Sequence, residues 1–228
     1  GVSVAIYGST VVVGAPGSDV EGESDAGAAY VFIREGIAWK QKAKLVAADA
    51  TREDGFGVSV AIDGITLVVG ADGKDLFPLF DSGAAYVFVK RGNSWDQKAR
   101  LTSPDAGIGG YFGGSVAISG SRLVVGQTEA NPAGTSGPGT AYVYQGRGNT
   151  WQLEDRLLAK DGHNGDFFGH AVAISGETVV VGAVFKDAET ETGRITNAGA
   201  AYVFTPQGDT WKQQAVLSAE DPEVFDQF

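Results

Sequence analysis

The 228 residues include 17 basic and 28 acidic side chains, which gives a net charge of −11 and an isoelectric point of about 4.5. A surface of this sign repels phosphate, so we expect no nucleic-acid partner, and no apolar run reaches the roughly 20 residues of a membrane-spanning helix, so we expect no membrane insertion. The absence of cysteine excludes disulfides and zinc–thiolate sites. The acidity favours a cation or a neutral or basic partner, or serves solubility alone.

An internal repeat organises the whole chain. Its four tryptophans are spaced by 56, 56 and 60 residues, and four Phe residues recur in the same register. These two sets are Trp39, Trp95, Trp151 and Trp211, and Phe56, Phe112, Phe168 and Phe228. We therefore divide one domain, residues 1–228, into repeats 1–56, 57–112, 113–168 and 169–228.

Each repeat predicts four short strands in chain order. In the second copy the first strand is Val58–Ile62, and Asp63-Gly64 is a hairpin signal because Gly tolerates the positive φ of such a turn. A second strand (Thr66–Val69) leads to a long loop and then to a third strand, Ala84–Val89. A second turn leads to the fourth strand, which we expect to start at the Trp. That turn contains Gly36, Gly92, Gly148 or Gly208.

The strands predict an all-β protein in which sheets cover other sheets. The first three strands of a repeat are apolar on both faces, as in Val11-Val12-Val13, and radial stacking of blades buries both faces of a sheet. We expect a β-propeller with four four-stranded antiparallel blades. Either the four blades close into a ring, with Phe228 beside Gly1, or they form part of a larger ring. A solenoid is the competing architecture, but it needs polar caps.

The recurring motif resembles the FG-GAP repeat of integrin α-subunits and of large bacterial surface proteins. It is carried by Phe56-Gly57, by Ser59–Ile62 and Leu67–Ala71, and by Gly14-Ala15-Pro16 of the first copy. The resemblance implies a propeller outside the cell or at its surface that binds a protein or a glycan. Family propellers commonly have seven blades, and this chain does not begin with Met, so we expect a processed chain or a piece of a larger chain or assembly. The integrin-type calcium loops do not carry over, because the corresponding connection here is a tight turn.

Candidate sites lie on the face that carries the long two–three and four–one loops, since loops on a rigid scaffold are where binding usually occurs. The two–three loop of the first copy is acidic, and it is either a calcium site with oxygen ligands or a solvated loop. That of the second copy is apolar and forms either a contact patch or a cover for the blade edge. The candidate ligand-binding residues are Asp19, Glu21, Phe77, Leu79, Phe80 and Phe185. The candidate metal ligands in the acidic loop are Asp19, Glu21, Glu23 and Asp25.

Aspartates also recur in the four–one loops, where they either fix turns or form a shared cation site. The candidate metal ligands there are Asp49, Asp54, Asp161 and Asp166. The third copy has Gly110 where Asp54 and Asp166 stand. We expect the Trp and Phe residues that recur in register to pack between blades.

The sequence lacks the motifs of common catalytic sites, and each blade carries nearly the same residues, so we expect no enzyme. The leading hypothesis is an extracellular adhesion or protein-binding propeller. One alternative is a lectin-like propeller with several equivalent glycan sites. Another is a structural repeat of a large surface assembly. Calcium is the one cofactor that the loops suggest.

Overall fold

The computed structural model describes residues 1–129, 137–147, 150–191 and 193–228. It consists of four four-stranded antiparallel sheets, each of which follows the chain order from one strand to the next, and a small hairpin in the fourth copy. The turn expected at Gly148 lies outside the described residues. Among the described residues there is no helix with the length and apolarity needed to cross a bilayer.

The strands of the first two blades agree with the expected pattern to within about two residues. Blade 1 contains β1 (Ser3–Tyr7), β2 (Thr10–Ala15), β3 (Ala28–Glu35) and β4 (Ala38–Leu45). Blade 2 contains β5 (Val60–Asp63), β6 (Thr66–Ala71), β7 (Ala84–Arg91) and β8 (Ser94–Leu101). The fourth strand of each starts one residue before the Trp.

The last two blades repeat this pattern with one addition. Blade 3 contains β9 (Ser115–Ser119), β10 (Arg122–Gln127), β11 (Thr140–Arg147) and β12 (Thr150–Leu157). Blade 4 contains β13 (Phe168–Ser175), β14 (Thr178–Ala183), β17 (Ala200–Gln207) and β18 (Thr210–Leu217). The four extra residues of the fourth copy lie in its two–three loop, where β15 (Ala188–Thr190) and β16 (Gly193–Ile195) form the hairpin.

Neighbouring blades pack face to face, and a Phe forms the wedge between them. Phe56 is fully buried, and its ring makes edge contacts with Tyr86 and Phe88 of blade 2 at centroid distances of 5.5 and 5.9 Å. Phe112 and Phe168 occupy the same position at the next two interfaces. A buried aromatic wedge of this kind contributes about 3–5 kcal/mol to stability.

The glycines of the repeat allow three backbone segments to meet behind each wedge. A Cβ on Gly14 would lie 2.0 Å from the Gly57 carbonyl oxygen, and one on Gly27 would lie 2.1 Å from that of Phe56. The Ser3 hydroxyl donates to the same Gly57 carbonyl at 2.8 Å and so ties blade 1 to blade 2. This hydroxyl tie recurs from Ser59 and Ser115 to the next two blades.

The four blades form an open arc and not a closed four-bladed ring. The first strands of neighbouring blades contact each other from β1 to β5, from β5 to β9 and from β9 to β13. Blades 1 and 4, in contrast, each leave one apolar face exposed. Phe228 is 53% exposed, and so it is not a buried wedge and does not restore an interrupted motif beside Gly1.

The tryptophans show the same asymmetry. Trp95, Trp151 and Trp211 pack against the preceding blade, and Trp211 also lies under the Arg122 guanidinium, 5.4 Å from the ring centroid. Trp39 differs from the expectation because no blade precedes it in the structure, and it is 44% exposed.

Candidate functional site: the long-loop face

The two–three loops are closed by one aspartate that recurs in the first, second and fourth copies. At the start of the loop its carboxylate accepts a hydrogen bond from a backbone amide at the end of the loop, and the residue that carries this amide has a positive φ. The pairs are Asp19 with Asp25 at 3.1 Å, Asp75 with Asp81 at 2.9 Å, and Asp187 with Asn197 at 2.7 Å. The fourth-copy pair spans ten residues instead of six, and the inserted hairpin lies between its two hydrogen-bonded ends.

The second aspartate of the four–one loop fixes a turn in the first and third of these loops, which carry it as Asp54 and Asp166, as one of the two sequence hypotheses states. Asp54 accepts hydrogen bonds from the backbone amide and the hydroxyl of Thr51, both at 2.7 Å. Asp166 accepts from the His163 amide at 2.8 Å in the same way. These side chains satisfy turn donors that no strand partner reaches.

A buried lysine adds a cation to these turns. The Lys74 ammonium, which is almost fully buried, donates to the Asp49 carbonyl at 2.6 Å, to the Thr51 hydroxyl at 2.9 Å and to Asp54 at 2.9 Å. Lys74 belongs to blade 2, whereas its acceptors lie in the loop that leaves blade 1. The ammonium therefore joins two blades and fills an oxygen cage of the kind that a metal ion would otherwise occupy.

The same arrangement recurs between blades 3 and 4. The Lys186 ammonium donates to the Asp161 carbonyl, and it lies 3.3 Å from the Asp161 and Asp166 carboxylates and 3.4 Å from His163 Nδ1. Although burial opposes it, hydrogen bonding and the charge of Lys186 lower the pKa of Asp161. Sequence reasoning missed both lysines, yet they stand 112 residues apart in the same repeat position.

The first aspartate of the loop binds the third strand of the next blade. The Tyr86 hydroxyl donates to Asp49 at 3.0 Å, and Arg100 donates to the same carboxylate at 2.5 Å. Burial, together with the charge of Asp49, raises the pKa of Tyr86 above its usual range. Asp105 repeats this arrangement with Tyr142 at 3.1 Å. Burial and the charge of Asp161 likewise raise the pKa of Tyr202 above its usual range.

The interface between blades 2 and 3 replaces the buried ion pair by an amide. Gly110 stands in the position of Asp54, and Gln127 stands where the other copies have Ala. A Cβ on Gly110 would lie 2.4 Å from the Gln127 Nε2, so the missing side chain leaves room for the Gln127 amide. Gln127 is fully buried, and its amide has no hydrogen-bond partner among the described residues.

The carboxylates of the acidic first-copy loop are used separately. Asp19 closes the loop, and Glu23 accepts a hydrogen bond from the Arg52 amide at 3.2 Å. Glu21 adopts a positive φ of 53° and is exposed. Among the described residues no three Asp, Glu or His side chains come together in an arrangement that would hold a metal ion.

The apolar second-copy loop is a tight hairpin that exposes two aromatic rings. Leu76 and Leu79 exchange backbone hydrogen bonds at 2.9 and 3.0 Å and are half-buried. Phe77 is 88% exposed and Phe80 is 56% exposed. Leu79 therefore supports the tip of the loop, and the two Phe rings present the apolar surface.

Two residues of the next four–one loop extend this surface. The Gly109 amide donates to the Phe80 carbonyl at 2.9 Å, which places Ile108 beside Phe80. The Tyr111 amide donates to the Asp81 carbonyl at 3.0 Å. Ile108 and Tyr111 are exposed and were not singled out from the sequence. We call Phe77, Phe80, Ile108 and Tyr111 the aromatic patch.

Carboxylates without a basic partner surround the aromatic patch. Burial raises the pKa of Asp72 despite backbone hydrogen bonds, and the charge of Asp81 adds to the effect. Burial and the charge of Asp75 raise the pKa of Asp81 in turn. The Tyr111 hydroxyl responds in the same direction to burial and to Asp81. Raised values of this kind arise because burial and neighbouring negative charges both disfavour the ionised form.

A polar cavity of about 400 Å³ lies on the same face in blade 4. It is lined by side chains of the four–one loop and of the inserted hairpin, namely Asp161, His163, Asp166, Lys186, Asp187, Glu189 and Arg194. Arg194 forms an ion pair with Asp187. Phe185 does not face a ligand in the open, because it is half-buried and its ring packs on Phe167 at a centroid distance of 5.0 Å.

Comparison with known proteins identifies the repeat. The family model described as the FG-GAP repeat matches residues 1–32, 39–88, 95–144 and 151–204. A search of curated proteins finds no match.

One solved structure supports the fold. A crystal structure of a protein from Lactobacillus plantarum is similar over 95% of this chain, with a TM-score of 0.59 and 12% sequence identity. The alignment covers 55% of that protein, so this chain spans about half of its length. The N-terminal domain of Nup159 aligns over 92% of this chain and 46% of its own, with a TM-score of 0.49 and 13% identity. With the four family matches spanning most of the sequence, the chain belongs to the FG-GAP repeat family and forms β-propeller blades.

Proposed function

We propose that this chain is a non-catalytic binding module outside the cell, and that its long-loop face recognises a protein partner with basic and apolar side chains. The observation that carries the proposal is the aromatic patch with its unpaired carboxylates. Phe77 is among the most exposed large side chains of the molecule, yet it is held on a hairpin with two backbone hydrogen bonds. A rigidly presented aromatic side chain is the usual anchor of a protein interface.

The charges around the patch define the partner. Asp72, Asp75 and Asp81 have no salt bridge to a basic side chain among the described residues. A Lys or Arg of the partner would supply the missing cation, and the net charge of −11 would speed its approach. An acidic or nucleic-acid partner would meet the same charges as repulsion.

The residues of the aromatic patch are also distinct from those that hold the blades together. The wedges, the hydroxyl ties and the turn aspartates recur between blades, whereas the aromatic patch occurs once in the part of the chain that the structure describes. A site for one asymmetric partner needs such a unique surface. This contrast supports an adhesion or interaction module over a purely structural repeat.

A glycan ligand is the second candidate, and the polar cavity of blade 4 favours it. Its volume of about 400 Å³ suits a small ligand, and its lining is entirely charged or polar. The lectin-like alternative with several equivalent sites has less support, because Lys74 and Lys186 fill the equivalent positions at two blade interfaces. A glycan would therefore bind once, beside the inserted hairpin.

The test is a peptide-binding experiment in which fluorescence anisotropy measures the bound fraction of a labelled peptide. The probes are a labelled peptide of alternating Lys and Leu residues and a second peptide with Glu in place of Lys. We expect the Lys/Leu peptide to bind and the Glu/Leu peptide not to bind. The double substitution Phe77→Ser and Phe80→Ser should weaken binding at least about tenfold, since loss of an aromatic anchor costs roughly 2 kcal/mol or more.

A matched control lies on the opposite face. Ile37 and Ile65 are 98% and 59% exposed and stand in the short turns, so Ile37→Ser with Ile65→Ser removes a comparable apolar pair without touching the patch. Equal loss of peptide binding in both double variants would contradict the proposal. Binding of a glycan array with loss on Arg194→Ala, and no peptide binding, would support the second candidate instead.

A further inference from the structure

A groove with a tryptophan in its wall lies between blades 1 and 2, at the end of the blades that carries the short turns. Its volume is about 430 Å³, which is within the range of sites for small ligands. Both blades contribute side chains to it, so the groove is formed at an internal interface of the chain. We call it the Trp95 groove, and its lining residues are Ile33, Glu35, Lys42, Lys90, Asn93 and Trp95.

The two sheets hold these side chains in place from opposite sides. Ile33 and Glu35 are two residues apart in β3, so their side chains share the face of blade 1 that looks at blade 2. Lys90 and Trp95 are cross-strand partners in β7 and β8, so their side chains share the facing side of blade 2. Asn93 stands in the short turn between these two strands. The register of two paired sheets therefore fixes the walls of the groove.

The Trp95 groove carries positive charge although the molecule is acidic. Glu35 forms ion pairs with Lys40, at 2.8 Å, and with Lys42. Lys90 forms no ion pair with another side chain in the part of the chain that the structure describes. One carboxylate thus stands beside three ammonium groups, whereas the whole chain has a net charge of −11. An anionic ligand would supply the partner that Lys90 lacks.

The equivalent groove between blades 3 and 4 shows what covers the same tryptophan elsewhere. There the Arg122 guanidinium lies 5.4 Å from the centroid of the Trp211 ring. It also donates hydrogen bonds to Glu154 at 3.0 and 3.2 Å, so its charge is neutralised. As a result Trp211 is only 5% exposed. The corresponding place between blades 2 and 3 includes residues 148 and 149, which lie outside the described residues.

The Trp95 groove lacks this cover. Thr10 stands at the repeat position of Arg122, and Lys42 stands at that of Glu154. A threonine is too short to lie across the indole, and it brings no charge. Trp95 is accordingly half-buried, with one side packed on the core and the rest lining the groove. The chain therefore leaves an indole surface and an unpaired ammonium group open in the same groove.

The chemistry of the groove matches a sugar ring that carries a carboxylate. The apolar C–H face of such a ring packs on an indole, and its carboxylate accepts hydrogen bonds from Lys90. Its hydroxyls both donate and accept, so they can satisfy Glu35 as well as Asn93. A small inorganic anion would leave Trp95 unused. A run of peptide carboxylates would meet Glu35 as repulsion, because ionised carboxylates only accept hydrogen bonds.

We propose that the Trp95 groove binds a uronic acid unit of an acidic polysaccharide. Lys90 supplies the cation for the carboxylate, Trp95 supports the ring, and Asn93 and Glu35 bind its hydroxyls. The groove lies at the end of the blades opposite to the aromatic patch, so a protein partner and the polysaccharide can bind at the same time. It is also separate from the polar cavity of blade 4, where the glycan of the second candidate function would bind.

The experiment is a titration in which NMR follows the indole N–H signals of the four tryptophans. The ligand is a trimer of galacturonic acid, and the matched control ligand is a trimer of galactose, which lacks the carboxylates. Trp95→Phe assigns the Trp95 signal by its loss. We expect the acidic trimer to shift this signal and to leave the other three unchanged. The neutral trimer should bind at least about tenfold more weakly, and added salt should weaken binding of the acidic trimer.

Two variants and a control test the residues. Lys90→Gln removes the unpaired ammonium and should weaken binding of the acidic trimer at least about tenfold. Thr10→Arg with Lys42→Glu recreates the covered groove of blades 3 and 4 and should abolish binding. Lys212→Gln removes an exposed lysine from the outer strand of blade 4 and should leave binding unchanged. Unchanged circular dichroism and melting temperature confirm that the variants fold.

Four outcomes overturn the proposal. The first is a Trp95 signal that the acidic trimer does not shift, and the second is equal affinity for the acidic and the neutral trimer. The third is inorganic phosphate or a tri-glutamate peptide that binds at least as tightly as the acidic trimer. The fourth is an equal loss of affinity in Lys90→Gln and Lys212→Gln.

The result is independent of the proposed protein-binding function. Phe77→Ser with Phe80→Ser changes the aromatic patch, and Arg194→Ala changes the polar cavity of blade 4. Both variants should bind the acidic trimer as the unchanged protein does. Failure of peptide binding at the aromatic patch would therefore leave the Trp95 groove to be judged on its own titration.

Discussion

Two interfaces of the molecule can be compared: the one between blades 1 and 2 and the one between blades 2 and 3. They share one architecture, but different side chains fill one buried position in each. At the first, Lys74 donates to Asp54, which is 1% exposed. At the second, the sequence replaces Asp by Gly110 and fills the space with Gln127. The wedge, the hydroxyl tie and the close glycines are the same at both.

This difference shows that the position needs filled volume more than it needs charge. A buried ion pair is retained only as a pair, because removing one partner leaves an uncompensated charge. An amide with a matching cavity replaces it without any charge. The two interfaces therefore fill the same position either with a complete ion pair or with an uncharged amide.

The largest effect is expected from removing half of the ion pair. Lys74→Ala should destabilise the protein by about 3–5 kcal/mol, because Asp54 would remain buried without a cation. Chemical denaturation measures the free energy of unfolding. The control is Lys40→Ala, which breaks an exposed ion pair with Glu35 and should change stability by less than about 1 kcal/mol. Equal effects would contradict the account.

A similar loss of stability is expected when a buried wedge is truncated. Truncating the exposed Phe228 should have a much smaller effect. Phe56→Ala should cost about 3–5 kcal/mol, since the ring is fully buried. Phe228→Ala should cost less than about 1 kcal/mol, because the Phe228 side chain is 53% exposed. Thermal unfolding of the two variants compares one residue type in two environments.

A smaller effect is expected when the aspartate of one interface is introduced beside the glutamine of the other. Gly110→Asp should destabilise the protein by about 1–3 kcal/mol, because the new side chain overlaps the Gln127 amide. Adding Gln127→Ala should recover only the part of this loss that the overlap causes, because the new carboxylate would still lack the cation that Lys74 supplies to Asp54. A double-mutant cycle measures the coupling free energy between the substitutions at Gly110 and Gln127. Strictly additive effects would contradict the claim that the two side chains compete for the same space.

The smallest effect concerns the carboxylates around the aromatic patch. The pKa of Asp72 is raised in the folded protein, so its contribution to stability is present below the ordinary Asp range and is lost as pH rises through the folded value. Asp72→Asn should therefore raise the melting temperature at neutral pH and leave it unchanged near pH ~3.

Asp96 provides the opposite sign. The Lys98 ammonium lowers its pKa, so its contribution is present above the ordinary Asp range and is lost as pH falls through the folded value. Asp96→Asn should slightly lower the melting temperature at neutral pH. Shifts in the same direction for both variants would contradict the assignment of charges.

Much of the fold follows from the sequence because the repeat shows it four times. The register of Trp and Phe predicts the blades. The Asp-Gly signal at Gly64 predicts a turn with a positive φ, and the φ of Gly64 in the structure is 59°. Ring closure was not predictable in this way, since identical residues at Phe168 and Phe228 end in different environments. Burial depends on the neighbouring blade, which the local sequence does not specify.

The candidate site was predictable only in part. Phe77 and Phe80 stand out as apolar residues in a loop, but Ile108 and Tyr111 join them through backbone hydrogen bonds between loops 30 residues apart. Likewise, the turn role of Asp54 follows from its residue type, whereas the approach of Lys74 depends on the packing of two blades. The hairpin within the loop of blade 4 was visible only as an insertion.

The most direct test of the proposed recognition surface is hydrogen–deuterium exchange with and without the Lys/Leu peptide. The account predicts slower exchange at residues 75–81 and 107–111, with the short-turn segments around Ile37 and Ile65 unchanged. Protection confined to the short turns, or to the hairpin of blade 4, would contradict the assignment of the aromatic patch as the binding site.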